Sequence, residues 1–522
     1  MSTETELLAA VLARPDEDTP RLAYADWLDD HADSLAGRDP KEARARAEFI
    51  RLQIACEGRD DDPDLADARD RAADLQKRYG SNWRPDAQYG WGFHRGFAER
   101  PFVPLDTFCA LADQLFAIAP VRRAEFPSTD GACAKLADCA HLPRLRALGL
   151  HSVQNEIGAV CQLLASPRLG GLRELKLSWM TQDAPALARA VAESEALAGL
   201  EALDLWQFML PEAAAVELAR AKRLRPRRLT NFGSQLNDSG AKALAASPVL
   251  SRLEVLGLRG CGIEAAGAKA LVEAPLLGPL WNLDIGANAL GREGVTAIAN
   301  SARLAALRVL NLGSAGVERH GLAALARSEH LRNLRKLALN YNRLRAGAAR
   351  VIAEGEAFAR LRELDLYGNG IGDDGAAHLA ASPHLHAVAR LQVANCSIKE
   401  AGAKALAEGT AFRALTHLDL RENKIGDAGA AALAQGHFPE LRHLTLAKCG
   451  IGDVGVIALA SSPVLATVEV LDIHSNRIGD AGAKALLESP HLGRVRELRA
   501  ERNKMSRSVR AALEKRFNKP AE

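Results

Sequence analysis

The 522 residues carry 67 Lys and Arg against 65 Asp and Glu, a net charge of +2, with 48% hydrophobic but only 5% aromatic residues. A balance this close to neutral gives no global electrostatic pull toward nucleic acid or a membrane, and no run of 18 apolar residues predicts a membrane-crossing helix. The start, MSTETELLAAVLARPDED, lacks the basic head and unbroken apolar core of a secretory signal, and eight cysteines without a CxxC pair suggest neither a disulfide nor a zinc framework, so a reducing cytoplasm is expected.

Residues 3–56 read as three helices, TETELLAAVLA, PRLAYADWLDDH and EARARAEFIRLQIAC, with RPDEDTP as a break and Pro20 in the first turn of the second. Tyr24, Trp27, Leu28, Phe49, Ile50 and Leu52 are the expected small core. LLAAVLARPDEDTPRLAYADWLDDHAD followed by RAEFIRLQIA resembles, over residues 4–57, the bacterial repeat-companion domain that precedes repeat arrays in planctomycete- and myxobacteria-like proteins. The spacer SLAGRDPKEARA is longer than usual for that family, which has no established activity to carry over. A charged linker, EGRDDDPD, leads to a polar helix from Leu65 to Tyr79. The aromatic stretch WRPDAQYGWGFHRGFAERPFVPL then reads as a hydrophobic lid on the first repeats, or as a separate ligand site around Trp91, His94 and Arg95.

A 27-residue cadence follows. Its clearest copies are LRELDLYGNGIGDDGAAHLAASPHL from Leu361 and LTHLDLRENKIGDAGAAALAQGHF from Leu415. Marking each repeat by the first apolar residue of its LxxLxL places the starts at Leu145, Leu172, Leu200, Pro226, Leu253, Leu280, Leu307, Leu334, Leu361, Val388, Leu415, Leu441, Val468 and Val495, and no spacing departs from 27 by more than one. LxL alternation predicts a short strand with one buried face, and GAxALA carries apolar residues at helical spacing. The earliest turns, around Val121 to Val153, fit poorly, as end repeats do.

LxxLxLxx(N/C)xL followed by GDxGAxALA resembles the leucine-rich repeat, in its ribonuclease-inhibitor-like subclass. The resemblance implies an α/β solenoid, a horseshoe with a parallel inner sheet of about fourteen strands and outer helices, preceded by the small α-helical module. Domains are expected at 1–57 (companion module), 58–120 (linker helix and aromatic cap), 121–505 (repeats) and 506–522, where SRSVRAALEKRFNK places Val509, Leu513 and Phe517 on one face of a capping helix. Eight residues after the marker stand Asn288, Asn342, Asn369, Asn423, Asn476 and Asn503, with Cys261, Cys396 and Cys449 as alternates; a side chain that donates a hydrogen bond satisfies backbone carbonyls there, so these cysteines are structural. Asp373, Asp427, Asp453 and Asp480 are expected to accept from the free amides where helices start.

Several motifs weaken on inspection. Gly370, Gly372 and Gly375, like Gly450, Gly452 and Gly455, satisfy a dinucleotide fingerprint between strand and helix, but their last two glycines come from the recurring IGDxG. GxxxxGK[ST], HExxH and GxSxG do not occur. His417 and His443 occupy equivalent positions in adjacent repeats without an evident third metal ligand. RAKRLRPRR, from Arg220 to Arg228, reads either as a grip for phosphate, an acidic partner or a membrane, or as a solvated edge loop.

The concave face carries the functional expectation. Between the core leucines stand Asp204, Asp284, Asp365, Asp419 and Asp472, never in adjacent repeats, a spacing that suits an acidic surface or a common filler of this repeat class. Trp179, Trp206 and Phe232 come from three consecutive repeats, Tyr341 and Tyr367 from two more, and Arg259, Arg421 and His474 lie on the same row. Aromatics and Arg on a rigid sheet suit protein partners. The expected function is therefore noncatalytic binding of an unknown protein partner by a monomeric cytoplasmic scaffold, with no cofactor, metal or membrane role. The alternatives are regulation of an enzyme, as in inhibitors or GTPase-activating relatives of this repeat subclass, and nucleic-acid or phosphate binding through Arg220 to Arg228.

Overall fold

The computed structural model describes residues 3–35, 37–129, 131–153, 156–180, 183–208 and 211–517; the side chains at 179, 180, 207 and 208 lie outside that description. It divides into two compact units, residues 1–262 with 274–280 and residues 263–273 with 281–522. Fifteen parallel strands follow one another in chain order, each succeeded in sequence by a helix, so the architecture is the expected α/β solenoid.

The first unit opens with helices α1 (Glu4–Ala13), α2 (Thr19–His31), α3 (Pro40–Cys56) and α4 (Ala66–Tyr79). The expected single core is in fact two. On one face of α3, Ala43, Ala47 and Ile50 pack with Val11, Tyr24 and Leu28. On another, Ala45 and Phe49 pack with Ala72 and Leu75 of α4, joined by Leu52, Trp83 and Phe93. The spacings 43-47-50 and 45-49-52 each trace a helical stripe, so α3 serves two partners.

A hairpin follows that no expectation covered: β1 (Gly90–His94) pairs antiparallel with β2 (Phe97–Phe102). Its two-residue turn, Arg95 and Gly96, has φ of +44° and +80°, the backbone twist that two-residue hairpins favour. Gly96 N–H donates to Gln53 at 2.7 Å, and a Cβ on Gly96 would lie 2.6 Å from the Ile50 Cα, so the tip fits against α3 only without a side chain. The aromatic stretch thus packs in large part inside the module, with Phe93 edge-on to Phe49 and Phe97 against Tyr24.

After α5 (Leu105–Ile118), the first unit holds β3 (Arg123–Phe126), β4 (Ala147–His151), β5 (Glu174–Met180), β6 (Ala202–Phe208), β7 (Arg228–Phe232) and β8 (Val255–Gly257). The strand β3, one more than the fourteen markers predict, hides in a segment of weak repeat pattern, yet Ala124 and Phe126 alternate inward. The second unit holds β9 (Asn282–Asp284), β10 (Val309–Asn311), β11 (Lys336–Ala338), β12 (Glu363–Asp365), β13 (Arg390–Gln392), β14 (His417–Asp419), β15 (His443–Thr445), β16 (Val470–Asp472) and β17 (Glu497–Arg499). Leu310, Leu337, Leu364, Leu391, Leu418, Leu444, Leu471 and Leu498 are in register across eight of these. Where the eighth residue after the marker is apolar, as at Met180 and Phe208, the strand continues to it; where it is Asn, the strand lasts three residues.

Asparagine ends the strand because it serves four backbone groups at once. Asn423 Oδ1 accepts from the N–H groups of Cys396 and Ile398 at 3.0 Å each, and its Nδ2 donates to the carbonyls of Val393 (2.8 Å) and Leu420 (2.9 Å). Cys396 and Cys449 can only donate, to Leu366 O at 3.0 Å and Leu420 O at 3.2 Å. After the helix of their own repeat, Ser301, Ser382 and Ser489 each donate to a carbonyl at or next to the end of the helix one repeat back, at Val272, Ala353 and Ala460.

The helix-start aspartates act differently from expectation. Asp453 Oδ1 accepts from Gly479 N–H (2.7 Å) and Gly482 N–H (2.9 Å), which belong to the next helix, Asp480–Glu488. Asp373 does the same for Lys399 and Gly402, and Asp427 for Gly452 and Gly455. Each carboxylate caps its successor, because the stacking of 27-residue turns brings the next N-terminus closer to it than its own free amides. The C-terminal helix, Arg507–Phe517, buries Leu513 and Phe517, with Val509 half-buried.

Candidate protein-binding surfaces

The inner row of the second unit is built at the strand ends. Asp365, Asp419 and Asp472 each turn back to accept the N–H two residues on, from Tyr367 (2.8 Å), Arg421 (3.0 Å) and His474 (3.1 Å). Asp472 is buried and also accepts from His474 Nδ1 at 2.6 Å, while Asp419 lies 3.2 Å from Arg421 Nε. Burial pushes the Asp365 and Asp419 carboxyls above their ordinary value, with the Tyr367 and Arg421 amides opposing it. These carboxylates are therefore strand terminators with local partners, not the free acidic surface their spacing suggested. That a strand-end Asp closes its own turn was legible in the DLxxN spacing, and was missed.

Beside them the chain presents aromatic edges. Tyr341, at φ +56°, is 50% exposed, and its ring meets that of Tyr367 edge-on at 5.0 Å. The hydrogen bond with Tyr341 pushes the Tyr367 hydroxyl up to about 12, and Arg421 lies with its Cζ 5.6 Å from the Tyr367 ring centre. A ring pair flanked by a guanidinium offers apolar area and a directional donor in one patch.

In the first unit, register places Ser178, Trp206 and Phe232 side by side on β5, β6 and β7. Trp206 is 53% exposed and stacks on Phe232 at 5.0 Å, with the planes 28° apart. Arg259 is half-buried in the following repeat, and the Trp179 side chain lies outside the described residues.

Within this unit the helical head is tied to the first strands through charge. Arg21 and Glu99, both wholly buried, pair at 2.6 Å; His94 bridges Glu99 (3.0 Å) and Glu57 (2.8 Å); and Arg123 joins His94 to Glu174. Burial alone would raise Glu174, but Arg123 and Arg228 hold it down at about 2. Asp16, from the turn between α1 and α2, takes Arg122 at 3.0 Å and Arg146 at 2.9 Å. His94 and Arg95 are thus structural ties, Arg95 pairing with Asp18 at 3.2 Å, and Trp91 is buried.

The basic segment is largely answered by carboxylates. Arg220 pairs with Glu217, Arg223 with Glu195, Arg227 with Glu254, and Arg228 with Asp204 and Glu174. His417 and His443 stack with centroids 4.0 Å apart, and burial, then His443, pushes His417 down to about 2. No group of three His, Cys, Asp or Glu among the described residues is placed to hold a metal, and no helix among them is long and apolar enough to cross a membrane. Gly375, of the dinucleotide pattern, sits where a Cβ would press on Ala349 of the preceding helix.

None of the curated proteins matches the sequence. Among solved structures, the chain is similar to an internalin (inlF) from Listeria monocytogenes, at 19% identity over 64% of this chain and 81% of that one, with a TM-score of 0.40. It is also similar to a chain in the Rad7 and Elc1 complex of yeast, at 15% identity over 91% of this chain and 94% of that one, with a TM-score of 0.39. The family model described as "Leucine Rich repeat" matches residues 361–380, 413–434, 439–460 and 464–487, so these segments of the second unit carry leucine-rich repeats.

Proposed function

We propose that the chain is a noncatalytic scaffold that binds a protein partner through the inner faces of its two units. The observation that carries this reading is Trp206, which keeps half its surface in solvent on β6. Tyr341, Tyr367 and Arg421 give the second unit a comparable patch. An exposed indole on a rigid strand costs solubility, and binding regains that cost with little loss of side-chain freedom. The repeats are read as ribonuclease-inhibitor-like, residues 1–57 as a companion module, 58–120 as linker and cap, 121–505 as the array and 506–522 as its closing helix, in a bacterial cytoplasm. The pairing of the basic segment weighs against nucleic acid, and regulation of an enzyme remains the alternative.

An affinity capture from native lysate tests the reading, comparing the intact chain with Trp206→Ala, Tyr367→Ala and Arg421→Ala combined. Loss of specific partners supports it; recovery of the same proteins by both overturns it. A captured enzyme whose turnover changes on binding would favour the regulatory alternative.

A further inference from the structure

The helical head contains a cavity of about 270 Å³, near the lower end of the range for small-molecule sites. Leu8, Leu28, Phe97 and Ile118 supply apolar wall, and Arg46 and Trp83 line it too. Arg46 is 92% covered, and its Nη1 is buried without a hydrogen-bond partner. Its guanidinium lies 4.8 Å from the Trp83 ring, 5.3 Å from Phe97 and 5.4 Å from Phe93. Those faces hold the cation but accept no hydrogen bond in the plane of the fork. Trp83 Nε1 is a second buried donor without a partner.

The surrounding charges do not answer Arg46. Glu4 is taken by Arg38 at 2.6 Å and by the Tyr24 hydroxyl at 2.9 Å, and Glu42 accepts from Asn82 at 3.2 Å. Arg84, exposed at the mouth, has no ion pair among the described residues. Five charged side chains therefore line the cavity, three arginines and two glutamates, and the most deeply buried cation has no counterion. Burying an unpaired charge and two unmet donors is costly unless an acceptor enters. Burial also lowers the Arg46 pKa to about 10, with Tyr24 and Glu42 opposing it only in part.

We propose that this cavity is a binding site for a small carboxylate with an apolar or aromatic body, its oxygens taken by Arg46 and Trp83 and its body lying against Leu8, Leu28 and Phe97. This goes beyond the inner-face reading and stands or falls apart from it. The same chemistry is offered by a free organic acid and by the C-terminal carboxylate of a peptide.

Calorimetric titration of the full chain with phenylacetate, phenylacetamide, inorganic phosphate and the peptide Gly-Gly-Phe tests the site. Saturable binding of phenylacetate but not of its amide is expected, weakened about tenfold or more by Arg46→Met. Binding of the peptide alone would support the site and assign its source to a chain terminus. If neither carboxylate binds, if Arg46→Met binds them unchanged, or if only phosphate binds, the proposal fails. Should Arg46→Met not fold, the Trp83 indole N–H resonance of the unaltered chain, identified with Trp83→Phe, decides: a saturable shift with phenylacetate supports the site and its absence overturns it.

Discussion

Asp427 stands in the first turn of its own helix, yet its Oδ1 accepts from Gly455 N–H at 3.0 Å, in the following repeat. A Cβ on Gly455 would lie 2.7 Å from that same oxygen and 2.9 Å from the Asp427 Cα, so the carboxylate and the missing side chain occupy one space. Asp427→Ala should cost about 1 kcal/mol, the usual worth of a helix cap. Gly455→Ala should cost more, because backbone must move. In the double variant the two costs should fall short of their sum, since removing the carboxylate relieves part of the clash. Urea unfolding of the four proteins measures this, and strict additivity would mean that the contact carries no energy.

The asparagine position gives a sharper contrast. Asn423→Ala leaves two buried N–H groups and two buried carbonyls without their partner, and should cost more than about 3 kcal/mol. Cys396→Ala removes a single weak donor and should cost about 1 kcal/mol. Asn423→Cys should fall between, since a thiol replaces the donor but not the acceptor. Equal losses for Asn423→Ala and Cys396→Ala in the same unfolding experiment would refute the four-bond account.

What the sequence disclosed divides by the range of the interaction. Strand and helix positions, the Asn ladder and the burial of Leu364 or Leu418 follow from a 27-residue period that repeats the same local environment, so each copy corroborates the next. The Asp373, Asp427 and Asp453 caps were half legible: the carboxylate at a helix start is a local signal, but which helix it serves depends on how turns stack. The ties of Arg21 to Glu99 and of Asp16 to Arg146 were not legible, since they join residues 78 and 130 positions apart with no period to announce them. Trp206 could be placed on the sheet from register alone, but the left-handed turn past the end of β11 that carries Tyr341 could not, and the unanswered charge of Arg46 appears only once every neighbouring carboxylate is located.

Arg21 and Glu99 are both wholly buried, so removing either one takes from the other its nearest opposite charge, at 2.6 Å. Arg21→Met should destabilise the head by about 3–5 kcal/mol, and Arg21→Met with Glu99→Leu by much less. Limited proteolysis in the charged segment 57–62 reports the result: rapid cleavage for the single variant, slower cleavage for the double. A double variant cleaved as fast as the single one would mean that the pair is needed for its geometry and not for its mutual neutralisation.

Acidification should act on two histidines with opposite sign. Burial opposes the charge on His94, but its hydrogen bonds with Glu57 and Glu99 outweigh that and raise its pKa above the ordinary 6.5. Its contribution is therefore complete below about pH 6.5 and is lost as the pH climbs through the folded value. His417 is pushed down to about 2, so the unfolded chain takes up a proton near 6.5 while the folded one does not, and stability falls as the pH drops below about 6.5. Glu174, held at about 2, contributes above about pH 4.5 and loses its part only as the pH falls toward 2. Between pH 7.5 and 5.5, amide exchange corrected for its intrinsic rate should therefore slow around His94 and quicken around His417. His94→Gln should abolish the first change and His417→Gln the second, each without touching the other. Exchange that moved in the same direction at both sites would show that net charge, not these two imidazoles, sets the response.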